Sequence, residues 1–117
     1  MARLTPTVNS TVSSSVKGDR REKVVKLTIA GTYGSATAAD GGALVTPALV
    51  GLTSLDYLVI HPSFTADTIE EQAVSIGPST STTAGWVIAL TNKDDDLETA
   101  DATAVTGVAF YATVVGF

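Results

Sequence analysis

The sequence predicts an all-β fold: a small antiparallel β-sandwich or barrel of about six strands, with one short helical turn and an extended N-terminal arm. Three observations carry this expectation. Thr, Ser, Val, Ala and Gly dominate the chain, a composition that favours strands and turns over helices. Apolar and polar residues alternate with a period of two in several short runs. Glycines and prolines punctuate those runs. The chain has 117 residues, enough for one domain and too few for two. A domain of this size buries roughly two-thirds of the surface its unfolded chain would expose.

Residues 1–16 are rich in Thr, Ser and Val, with Val8, Val12 and Val16 on one face of an extended chain. The same spacing would fit a helix, but β-branched residues and serines disfavour it. This segment reads as a first strand or an extended arm, and Lys17-Gly18-Asp19-Arg20 as a turn. The stretch 23–33 is the clearest strand: Val25, Leu27, Ile29 and Tyr33 share one face, and Lys26, Thr28 and Thr32 the other. That alternation is what a half-buried antiparallel strand requires. Gly31 marks a bulge or a close approach. A small-residue loop follows over 34–43, with a turn at Gly41-Gly42.

Thr46 is placed as a helix cap, Pro47 suits the first helical position and Gly51 the position past the end. Only about one helical turn fits between them, and Leu49, Val50 and Leu52 would press it onto a core. Residues 55–60, nearly all apolar, read as a buried central strand. His61-Pro62 ends it, because proline cannot donate to the ladder. A turn over 63–68 precedes a strand at 70–76, with Val74 and Ile76 on one face. The run 77–85, GPSTSTTAG, is a surface loop. Trp86, Ile88 and Leu90 face inward from the next strand, 86–91, which leads into an acidic loop over 92–101. The closing strand, 102–117, sets Val108, Phe110, Ala112 and Val114 on one face and Val105, Tyr111, Val115 and Phe117 on the other. Apolar groups on both faces imply a central position or an oligomer contact.

Hydrophobic residues make up 44% of the chain and charged residues 16%. The charged share is low against the roughly 25% usual for soluble domains, which suggests that part of the surface is covered by a partner. There are no cysteines, so disulfides, thiolate metal sites and a cysteine nucleophile are excluded. The N-terminus has no apolar run of a secretion signal, and the apolar C-terminal stretch is too short and too rich in Gly and Thr for a membrane helix. The expectation is a soluble protein, made in a reducing cytoplasm, with no membrane partner.

Charge is unevenly placed. Residues 1–26 hold six basic side chains against two acidic ones, a net of +4, and residues 27–117 hold one lysine against ten acids, a net of −9; together they give the −5 of the whole chain. A basic segment on an acidic body is a sign of an interaction tail, and the plain alternative is a solvated strand end. Residues 1–22 are therefore read as an extended arm or first strand beside a single β domain over 23–117, with Arg3, Lys17, Arg20 and Arg21 as candidate partner contacts. Nucleic acid is not an expected partner, since the arm lacks aromatics for base stacking and phosphates would repel the acidic body.

No residue pattern specifies a reaction. Asp94, Asp95, Asp96, Glu98 and Asp101 form the one carboxylate cluster, and hard cations take several oxygens. The spacing does not match an EF-hand loop, and a solvated turn is the favoured reading. His61 is the single histidine; as a general base it would need a nucleophile and an orienting acid, and no G-x-S-x-G elbow is present. The glycines form no phosphate cradle. Trp86, Tyr57, Tyr111 and Phe110 stand in apolar strands, where packing accounts for them. No catalytic residue, metal site or cofactor is expected.

The run GGALVTPALVGLTSLDYLVI, with Trp86-Val87-Ile88-Ala89-Leu90 and the closing VTGVAFYATVVGF, resembles small virion proteins of tailed bacteriophages. In that family a Gly-Gly loop leads to a short apolar helical turn ending in G-L, then to a hydrophobic strand, and a late strand closes the chain. The resemblance covers roughly residues 23–117; the Ser/Thr-rich N-terminus is longer than the family's pattern. It implies a β-sandwich of the capsid decoration or cement type, located on the virion surface. It also implies the major capsid protein as partner and a homo-oligomer, with a trimer favoured. Two alternatives stand beside it: a tail or head–tail connector component, and a lectin-like or receptor-binding module using the loops 34–43 and 77–85.

Overall fold

The computed structural model describes residues 3–34, 41–61, 71–79, 84–95, 97–100 and 102–117. The expected turn at 63–68 lies outside the described residues, as do much of the loops 34–43 and 77–85 and Asp96 and Asp101 of the acidic loop. Among the described residues the fold is all-β. It has seven strands: β1 (Thr7–Lys17), β2 (Arg20–Thr32), β3 (Ala43–Val45), β4 (Leu55–Ile60), β5 (Glu71–Pro78), β6 (Trp86–Asn92) and β7 (Ala104–Gly116). They form a four-stranded sheet in the order β1-β2-β7-β4 and a three-stranded sheet in the order β3-β6-β5. All the strand pairs are antiparallel.

The core lies between the sheets. Val25, Leu27 and Ile29 of β2 meet Val108, Phe110 and Val114 of β7, with Ile88 and Leu90 of β6 facing them. Each of these is essentially sealed from solvent, so the period-two alternation of β2 and β7 records which face is dry. Pro47–Val50 forms the expected single turn, a 3-10 helix with Pro47 at its start and Gly51 in the left-handed region at φ 74°. Val50 and Leu52 are buried and Leu49 packs against the core. Thr46 occupies the cap position but makes no side-chain cap bond. The turn is held from its other end, by the Gly51 N–H on the Ala48 carbonyl and the Leu52 N–H on the Pro47 carbonyl.

The structure corrects three local expectations. Ala43–Val45 is a strand, too short for an alternating signal. Residues 55–60 form an edge strand rather than a central one, and Tyr57 and Val59 are exposed. Val74 and Ile76 share one face of β5, as expected, and it is the exposed face; Ala73 and Ser75 lie on the other, where the Ser75 hydroxyl donates to the Leu58 carbonyl. Finally, β1 does not keep a two-residue period, since its register with β2 shifts between Val8 and Ser10 and again between Thr11 and Ser13. Each such shift inserts an unpaired residue and twists the strand.

The two seams of the sandwich are closed differently. At one, the chain before β1 passes from sheet to sheet. Leu4 donates to the Gly42 carbonyl and accepts from the Leu44 N–H, which pairs it with β3, and from Thr7 onward the chain pairs with β2. Pro6 is fully buried at this crossing. Gly31 lies beneath it at φ 125°, where a Cβ would come within 2.8 Å of Leu4 Cδ2. The ladder to β7 is also irregular there. At the opposite seam β4 and β5 lie side by side without a ladder, and a groove remains between them.

Candidate interaction surface

β1 forms one edge of the four-stranded sheet. Among the described residues this strand has β2 on one side and no strand on the other. Both of its faces are solvent-exposed from Asn9 to Val16, because the three-stranded sheet does not extend over it. Val12 is 58% and Val16 69% exposed. No charged residue occurs between Leu4 and Val16. Eleven residues of strand present a row of backbone donors and acceptors over roughly 36 Å. Sheet edges are commonly blunted by lysines, prolines or bulges; from Thr7 to Val16 only the two bulges serve that role, and Lys17 ends the strand.

Of the basic residues singled out in the sequence, Arg3, Arg20 and Arg21 have different surroundings. Arg3 lies half-buried in the segment that joins the sheets. Lys17 ends β1, and its side chain lies outside the described atoms. Arg20 is tied into the body: it forms an ion pair with Asp56 of β4, and its guanidinium carbon stands 4.3 Å from the centre of the Phe117 ring. Arg21 is exposed. Lys23, from the same basic stretch, is also committed, donating at 2.9 Å to the Val50 carbonyl at the end of the helical turn. Arg20 and Lys23 therefore serve as internal bracing.

The groove at the β4–β5 seam has a volume of about 600 Å³ and is lined by Leu58, Val59, Ile60 and His61 on one side and Gln72, Ala73, Val74 and Ser75 on the other. His61 Nε2 lies 2.7 Å from the Thr113 hydroxyl, and its backbone N–H donates to the Tyr111 carbonyl. Both bonds hold the end of β4 on β7. The acidic loop is anchored as a turn: Asp95 accepts from the Leu97 N–H, Thr99 N–H donates to the Leu90 carbonyl, and Glu98 accepts from the buried Tyr33 hydroxyl. Among the described residues no group of three or more His, Asp or Glu side chains is placed to hold a metal ion. No helix among them is long and apolar enough to cross a membrane.

Sequence reasoning missed the outer face of the four-stranded sheet as a unit. The register stacks Glu22, Val115 and Tyr57 in one row, Val24, Thr113 and Val59 in the next, and Lys26, Tyr111 and His61 in a third. The apolar second face of β7 was legible in the sequence; what β2 and β4 set beside it depends on pairing across long sequence separations.

No protein-family model, no curated protein and no solved structure matches this chain.

Proposed function

We propose that this chain is a structural virion protein that attaches to the outside of a phage capsid and stabilises it, with the open edge of β1 as its attachment element. The observation that carries the reading is the edge of β1, which is uncharged from Thr7 to Val16 and exposed on both faces from Asn9 to Val16. Pairing an extended segment of the shell protein with that edge would supply main-chain hydrogen bonds, and alternate side chains would supply selectivity. The low charged fraction and the resemblance to decoration proteins support the same role. A protein of this kind needs rigidity and partner edges.

The test is co-sedimentation with purified capsids, combined with quantitative mass spectrometry of the particles. A copy number near that of the major capsid protein is expected. A Val12→Lys, Ser14→Lys variant places charge on the exposed edge and is expected to lose attachment with its melting temperature unchanged. Attachment that survives this change overturns the edge as the contact. A copy number far below that of the shell protein would favour a tail or connector component, and absence from particles would remove the virion reading altogether.

A further inference from the structure

From the outer face of the four-stranded sheet we infer that this chain forms a two-fold dimer by stacking that face on its copy in a second molecule. The inference does not rest on the virion reading, since it uses a different surface and requires no capsid.

Nine positions in three rows make up this face. The middle of the patch is Val24, Thr113 and Val59, with Tyr57 and Tyr111 around it, and Val115, in the same register, is itself buried at 8% exposure. Tyr57 is 45% and Val59 49% exposed, so no described element covers this side of β4. A sheet that is dry on one side normally alternates to polar residues on the other. Here the second face carries valines and tyrosines across three adjacent strands, the composition of a contact surface rather than a solvated one.

Charge identifies the occupant. Of the nine positions the charged ones on β2 are Glu22 and Lys26, two residues to either side of Val24; Arg20, next along the same face, is already paired with Asp56. Lys26 Nζ stands 6.0 Å from the centre of the Tyr111 ring. A two-fold axis lying between the stacked sheets, at right angles to the strands and passing over Val24, keeps each β2 above its copy and reverses its direction. Glu22 of each chain then lies over Lys26 of the other, and Val24 lies over Val24. The two opposite-charge contacts arise from one symmetry operation, as a self-complementary two-fold interface requires. Aligned packing of the two sheets, at the usual angle of about −30°, accommodates this arrangement. The alternative axis, parallel to the strands, would set Glu22 against Tyr57 and Lys26 against His61, with no charge matched. The surface therefore selects a dimer, in contrast to the trimer that the resemblance implies.

The experiment is sedimentation equilibrium of the full chain over a range of concentrations. A species of about 24 kDa is expected, twice the 11.9 kDa of one chain. Val59→Lys, at an exposed position, is expected to give a monomer with an unchanged thermal melt. Glu22→Lys and Lys26→Glu, made singly, each set like charges opposite each other twice per dimer, and each is expected to weaken association roughly tenfold. The Glu22→Lys, Lys26→Glu double variant exchanges the charges and is expected to recover the dissociation constant of the unaltered chain. A monomer at all concentrations, a three-chain species, or a dimer that Val59→Lys does not disturb overturns the inference. Failure of the double variant to recover overturns the proposed axis, and with it the pairing of Glu22 with Lys26.

Discussion

The indole N–H of Trp86 donates to the hydroxyl of Ser75 at 2.6 Å, and that hydroxyl donates in turn to the Leu58 carbonyl 3.2 Å away. One serine thus joins β6, β5 and β4 at the seam that has no ladder. Ser75→Ala removes the acceptor of a half-buried indole and a donor to an edge carbonyl. A loss of about 1–2 kcal/mol is expected, because an unpaired polar group in a protected site keeps its desolvation cost. For a domain of this size each kcal/mol lowers the melting temperature by roughly 3–6 °C. Circular dichroism measures the shift, and a melt that does not move would show that the clip carries no stability.

Tyr33 performs the corresponding task at the other end of the sandwich. Its side chain is fully buried, and its hydroxyl accepts from the Leu90 N–H at 3.1 Å and donates to Glu98 at 2.7 Å. Tyr33→Phe leaves the Leu90 amide without that acceptor in the core and releases the acidic loop from its anchor. The expected cost is about 1–3 kcal/mol. Faster hydrogen exchange should appear at Thr99, whose amide bonds the Leu90 carbonyl nearby. Protection of Thr99 equal to that in the unaltered protein would contradict the proposed anchoring.

The period-two signal explains both the success and the limits of the sequence reading. Val25, Leu27 and Ile29 alternate against Lys26 and Thr28, and their strand falls where that pattern places it. Alternation reports that one face is dry, but not which neighbour makes it so. Residues 55–60 looked central because they are apolar on both faces, yet they form an edge whose outer face holds Tyr57 and Val59. The same ambiguity hid the nine-residue patch, whose rows join positions as far apart as Glu22 and Val115. Ala43–Val45 was too short to alternate, and the two bulges in β1 leave no trace in the spacing of its valines.

Gly116 offers a test of the closing strand. It is buried between β2 and β4, and a Cβ there would overlap the Ser54 carbonyl oxygen, which belongs to the backbone. Gly116→Ala must therefore move β4 away from β7. The neighbouring contacts, the Thr53 amide and hydroxyl on the Phe117 carbonyl, would be disturbed as well. Overpacking of this kind costs about 1–3 kcal/mol and more where backbone must shift. The expected result is a melting temperature lower by at least several degrees; a melt equal to that of the unaltered protein would mean that the strands separate here at no cost.

The N-terminus decides how attachment should be tested. An arm that clasps a neighbour could be removed without harm to the body, but the described part of this segment is built into the sandwich. Leu4 packs against the core and bonds β3 on both sides, Pro6 is fully buried, and Thr7–Lys17 pairs with β2. Leu4→Ala, at a partly buried position, should cost about 1–3 kcal/mol, less than the full range for a sealed leucine. Deleting residues 1–6 should cost more, because the seam beside β3 also loses its two backbone bonds. Loss of capsid attachment by such a truncation would therefore report unfolding as readily as loss of contact, so attachment is better read from the exposed Val12 and Ser14, which support nothing behind them. Should the chain lacking residues 1–6 melt at the temperature of the full chain, the crossing at Leu4 would be dispensable and a detachable arm would again be the better description.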